Sequence, residues 1–172
     1  MKEKQKTLLI IDDHHTDWSK YFRGKRLQGD WEIRLEQAEL KDINLTANSE
    51  SGTIVSMIVD RNGTKVVRSF SPDFVLFRQN IRDSNVDFRK LLLGFKYGSI
   101  PSINTVHSLY NFQDKPWVFS QLLHIQKRLG KENFPLIEQT FYPNHQEMHT
   151  SSPTQSAEQI FATDPRVHSL ST

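Results

Sequence analysis

Apolar residues along the chain fall into two rhythms. Leu8-Leu9-Ile10-Ile11 is an unbroken apolar run closed at once by Asp12-Asp13. A run this short predicts a strand over 7–11 buried on both faces, as in parallel sheets. Trp18, Tyr21 and Phe22 then stand at i, i+3 and i+4, one apolar stripe on a short helix. Trp31, Ile33 and Leu35 alternate with Glu32, Arg34 and Glu36, the period-2 pattern of a half-buried strand. Together they predict a β-α-β unit of right-handed connection.

Further on, the runs 53–61 and 64–70 flank Asn62-Gly63. Both central residues of a type I′ turn need positive φ, so this pair predicts a hairpin. Pro72 interrupts, and 74–77 reads as a central strand. Residues 80–85 read as a loop. Phe88, Leu91, Leu92 and Phe95 keep helical spacing, with Gly98 placed to end the helix. A brief strand over 100–103 and a short helix over 106–112 follow. Asp114 is placed to cap a helix running to about Leu129, whose apolar face is Val118, Leu122, Ile125 and Leu129, with Gly130 at its end. Residues 135–141 predict one more strand. From His149 the periodicity stops: nine of the last 24 residues are Ser or Thr and two are Pro. Such a segment buries too little apolar surface to offset its ordering entropy, so 149–172 is expected to be disordered. No internal repeat is visible.

Composition narrows the function classes. At 172 residues and 36% hydrophobic, the chain can bury one core with a small appendage. It has no cysteine, which excludes disulfides and thiolate metal sites and fits a reducing, intracellular location. The leading apolar run is too short for a signal-peptide core and far below the ~20 residues of a spanning helix, so any membrane contact is expected to be peripheral. Net charge is only +2, and the cluster Lys20, Arg23, Lys25, Arg26 is followed by Asp30, Glu32, Glu36 and Glu39. No nucleic-acid partner is expected.

Three segments carry candidate chemistry. Asp12, Asp13, His14, His15 and Asp17 follow the first strand, where ligands of open α/β sheets bind. They are of metal-ligating type, but adjacent side chains diverge, and the favoured reading is a polar loop whose aspartates cap the next helix. Trp18, Tyr21 and Phe22 beside the four cations could form a patch for anionic lipid. An aromatic stripe at helical spacing is more often core, and that reading is preferred. Lys115 sits in the first turn of a helix, where free N–H groups suit a phosphate. A solvated lysine, or one paired with Asp114, accounts for it equally well. The sequence has no glycine-rich phosphate loop, no G-x-S-x-G and no H-E-x-x-H. No catalytic residue or metal ligand is therefore assigned. Arg68-Ser69 has the look of a kinase site, but Ser69 ends a predicted strand and reads as structural.

In order, Asp17-Trp18 with Tyr21-Phe22, Glu36-Gln37-Ala38-Glu39, Arg61-Asn62-Gly63, Val66-Val67-Arg68-Ser69, Pro72 to Leu76, Arg78-Gln79, His107-Ser108, Tyr110-Asn111-Phe112, Asp114 to Phe119, Phe134 to Ile137 and Gln139 to His145 resemble the synapsin family. The likeness covers about 7–148. It implies an α/β fold: a Rossmann-like pre-ATP-grasp subdomain over 7–113, with a mostly parallel sheet and a β-hairpin. A charged stub (1–6) would precede it, and the start of an ATP-grasp region (114–148) and the disordered tail (149–172) would follow. It also implies a non-catalytic, cytoplasmic, presynaptic protein, peripheral on synaptic vesicles, that regulates neurotransmitter release, contacts actin and forms homo-oligomers. ATP is the family's cofactor, and Lys115 matches a family lysine that contacts its phosphates. The family continues past the position of Met148 into a glycine-rich loop, further lysines and acidic metal ligands that these 172 residues do not contain. The chain is thus expected to be a truncated core with little nucleotide site of its own. The alternative is a fragment of a ligase-like ATP-grasp protein, inactive until completed.

Overall fold

The computed structural model describes residues 4–61, 63–83, 85–144 and 158–161. Its elements are β1 (Gln5–Ile11), α1 (Ser19–Phe22), β2 (Arg26–Leu27), β3 (Trp31–Ala38), a 3-10 turn (Leu40–Asp42), β4 (Ile43–Asn48), β5 (Gly52–Arg61), β6 (Thr64–Phe70), β7 (Phe74–Phe77), β8 (Arg82–Asp83), β9 (Val86–Asp87), α2 (Arg89–Tyr97), β10 (Ser102–Ile103), α3 (Val106–Asn111), α4 (Lys115–Leu129), β11 (Gln139–Tyr142) and β12 (Glu158–Phe161). They fall into two units, Met1–Tyr110 and Asn111–Thr172.

In the first unit, β1 is central. It pairs in parallel with β3 on one edge and β7 on the other, and Leu9, Ile10 and Ile11 are fully buried. β10 extends the sheet in parallel beyond β7, and β2 closes the other edge antiparallel to β3. A separate antiparallel sheet, β4-β5-β6, carries the hairpin. Its register closes at Arg61 opposite Thr64, and Gly63 has φ +81°, as the second position of a type I′ turn requires. Asn62 lies outside the described residues. One core joins the two sheets and α2: Leu9 and Ile11 from β1, Val75 and Phe77 from β7, Val55 and Met57 from β5, and Leu92 and Phe95 from α2. The Phe77 and Phe95 rings meet edge to face at 5.4 Å, the arrangement their quadrupoles favour.

The alternation along β3 is real, but its faces are not divided as expected. Leu9 stands opposite Glu36 and Ile11 opposite Ala38, so Arg34, Glu36 and Ala38 share the core face. Glu36 is the most buried residue of the strand, 3% exposed, and accepts hydrogen bonds from Arg34 (2.9 Å) and from Arg68 of β6 (2.5 Å). The apolar set Ile33 and Leu35 lies on the second face with Leu8, Phe74 and Leu76, where these side chains are half-buried.

Several expectations change. The aromatic stripe is not core: α1 has only four residues, none buried, and Tyr21 is 63% exposed. The loop expected at 80–85 contains the short strand β8, which pairs with β9 just beyond it, and Ile81 beside β8 is buried. β4 was not anticipated, and the strand expected at 135–141 is confined to β11. Gly98 ends α2 but keeps φ −77°, while Ser99 takes the left-handed value of +54°.

In the second unit, α4 runs as expected to Gly130, whose φ is +86°. Val118, Leu122 and Ile125 are half-buried and Leu129 is exposed. Asp114 occupies the cap position, yet its carboxylate makes no capping hydrogen bond. The expectation of disorder for 149–172 falls outside the described residues except at β12, which is instead a strand parallel to β11.

Candidate functional site

The chain leaves β1 for β3 on one side and later reaches β7 on the other. The carboxyl end of β1 is therefore a topological switch point, where open α/β sheets bind ligands. The polar loop there is fixed by its own side chains. Asp12 accepts from the Asp13 N–H (3.0 Å) and from the Trp18 indole (2.7 Å). Asp13 accepts from the His15 N–H (2.9 Å). Asp17 accepts from the backbone (3.0 Å) and hydroxyl (2.6 Å) of Ser19, capping α1 as the sequence suggested. Those Ser19 bonds hold the Asp17 carboxyl below its usual range.

Gln37 organises this loop, a role the sequence did not signal. Its amide donates to the carbonyls of Asp13 (2.7 Å) and Thr16 (2.9 Å) and accepts from the Trp18 N–H (3.3 Å). The His14 Nδ1 lies 3.2 Å from Glu39, whose other oxygen accepts from Lys41 at 2.7 Å. Lys41 first, then His14, lowers the Glu39 carboxyl below its usual range. A cavity of about 400 Å³ opens here, lined by Asp12, His14, Asp17, Gln37 and Glu39 among others. Among the described residues no group of three or more His, Asp or Glu is placed to hold a metal ion.

Lys115 is the first residue of α4 and is exposed. No ion pair joins it to Asp114 among the described residues, so it stands as a solvated cation at a helix start. The first turn is tied down beside it: Val118 N–H donates to the Asp114 carbonyl (3.1 Å), and the Trp117 indole donates to Asn111 (3.1 Å). A largely apolar cavity of about 400 Å³ adjoins, with Trp117, Phe119, Leu123 and Phe141 in its wall; Lys115 is not among the lining residues.

Lys20, Arg23, Lys25 and Arg26 are exposed together with Tyr21, and none of the four is ion-paired among the described residues. Ser69 shares a hydrogen bond with Ser56 across β5 and β6 (2.8 Å), a cross-strand role. Among the described residues no helix is long and apolar enough to cross a membrane.

The parallel sheet with its appended hairpin layer is of the Rossmann-like class from which pre-ATP-grasp domains are built. The family model described as "Synapsin pre-ATP-grasp domain" matches residues 1–102, and "Synapsin, ATP binding domain" matches 104–159. Synapsin of Drosophila melanogaster is 58% identical over 147 residues, which cover 86% of this chain and 14% of that protein. The chain belongs to the synapsin family. Lys115 falls within the ATP-binding match.

Proposed function

We propose that the chain works as a binding module rather than a catalyst. It associates peripherally with the cytoplasmic surface of synaptic vesicles and takes part in regulating neurotransmitter release. The observation that carries this is the similarity to Drosophila Synapsin across most of the chain. Actin and further copies of the chain are the other partners the same similarity supports.

ATP enters this reading through Lys115. The ammonium at the start of α4 meets a phosphate beside free N–H groups of the first turn. Tight nucleotide binding needs an enclosed pocket with several convergent polar groups. The cavity next to α4 is walled largely by Trp117, Phe119, Leu123 and Phe141, so ATP is held weakly.

Flotation with purified synaptic vesicles tests the reading. The chain is expected to rise with the vesicles and to leave them in high salt. A chain that stays in the soluble fraction at low salt contradicts it.

A further inference from the structure

The cavity of about 400 Å³ in the second unit has one wall from α4 and one from β11. On the α4 side, Asp114, Trp117, Ser120 and Leu123 follow at steps of three residues, a stripe that rises about 4.5 Å per step from a carboxylate to a leucine. On β11, Gln139 and Phe141 are alternate residues and so share one face of the strand. The aromatic part of the wall is open: Trp117 is 53% and Phe141 54% exposed.

Two acceptors in this wall lack a partner among the described residues. The Gln139 Oε1 is buried and accepts no hydrogen bond, a condition that costs free energy and is rare in folded proteins. The Asp114 carboxylate stands at the cap position of α4, yet it makes no capping bond and no cation pairs with it. Lys115, the next residue, does not line the cavity.

These features select among ligands. A phosphate group placed here meets the Asp114 carboxylate, which repels it. A hard metal ion finds too few oxygens, since such ions take six or more. A plain hydrocarbon fills the apolar wall but leaves both acceptors unanswered. An ammonium answers the carboxylate and is also attracted to the faces of aromatic rings. An aromatic body attached to it covers the exposed Trp117 and Phe141 rings. The volume lies within the range of small-molecule sites.

We propose that this cavity binds an arylalkylamine. Its ammonium pairs with the Asp114 carboxylate, its ring lies against Trp117 and Phe141, and a donor on the ring meets the Gln139 Oε1. The Gln139 amide turns about its soft terminal torsion to present that oxygen, and the turn breaks no hydrogen bond of the oxygen. The site lies within the second unit and does not depend on vesicle association.

The full chain is titrated with tyramine while backbone amide shifts are followed. Shifts at Ser120 and Phe141 are expected, saturating in the millimolar range open to so small a ligand. Phenethylamine, which lacks the ring hydroxyl, is expected to bind about fivefold more weakly. Hydroxyphenylpropanoate, with a carboxylate in place of the ammonium, is expected not to bind. Asp114→Asn is expected to weaken tyramine about tenfold. Gln139→Leu is expected to erase the difference between tyramine and phenethylamine while phenethylamine still binds, which a collapsed cavity would not allow. Thermal melts check that both variants fold, and the comparison of the three ligands on the unaltered chain decides the matter if either does not. ATP is expected to leave tyramine in place. No shift at about 10 mM tyramine, equal binding of the propanoate, unchanged affinity in a folded Asp114→Asn chain, or displacement of tyramine by ATP overturns the proposal.

Discussion

Glu36 of β3 and Arg68 of β6 meet at 2.5 Å, carboxylate to guanidinium, and so fasten the antiparallel sheet to the parallel one. Arg34 donates to the same oxygen at 2.9 Å. The carboxylate is buried, while both arginines reach water in part. Removing one cation from a buried pair leaves charge uncompensated, although the retained Arg34 and solvent soften the cost. Arg68→Met is therefore expected to lower unfolding free energy by about 1–2 kcal/mol in urea titrations. Pairing it with Glu36→Leu is expected to recover most of the loss. Equal losses in the single and double variants count against the pair.

Gly98 holds a second junction. A Cβ there would stand 1.6 Å from the Thr53 hydroxyl oxygen, which is buried without a hydrogen-bond partner among the described residues. Because the φ of Gly98 is −77°, an alanine is not strained by its own backbone. The cost of Gly98→Ala is steric, about 1–3 kcal/mol, as in other overpacked cores. Adding Thr53→Ala removes the oxygen at 1.6 Å but keeps the Thr53 Cβ 2.8 Å from the new methyl, so it is expected to restore part of the stability. No rescue in the double variant places the cost elsewhere.

Asp87 predicts a pH signature. Its carboxylate accepts from the Arg89 side chain (2.6–3.0 Å) and the Arg89 N–H (3.0 Å), which lower its pKa to about 2 from the ordinary 3.8. The folded value lies below the unfolded one. The stabilising contribution is thus fully present above about pH 4 and disappears as pH falls through about 2. A carboxyl carbon titration by NMR is expected to show Asp87 protonating near 2, and Arg89→Ala to move it back toward the ordinary range. An Asp87 that titrates normally in the wild type removes the interaction.

Much of the first unit was legible in the residues. The run ending at Ile11, the Asn62-Gly63 hairpin and the spacing of Leu91, Leu92 and Phe95 are local signals, and each marks an observed element. What could not be read depends on partners distant in sequence. Period-2 alternation in 31–36 assigns residues to two faces but not which face meets the core. That choice rests on Arg68, 32 positions from Glu36. Tyr21 has helical spacing, but a four-residue helix has too little surface to bury a stripe. β4, with two asparagines in Ile43–Asn48, has low strand propensity and is held by its pairing with β5 and by Ile43 and Leu45 packing on the core. At the carboxyl end of β1 the capping role of Asp17 was readable, whereas Gln37 gave no signal because its three bonds reach back 19 to 24 residues.

The most direct test of the binding-module account is a calorimetric titration of the full chain with ATP, run with a phosphate-release assay and repeated on Lys115→Ala. The expected result is a dissociation constant weaker than micromolar, a smaller heat in the variant and no phosphate released. Micromolar affinity, a heat untouched by Lys115→Ala, or sustained release of phosphate contradicts the account.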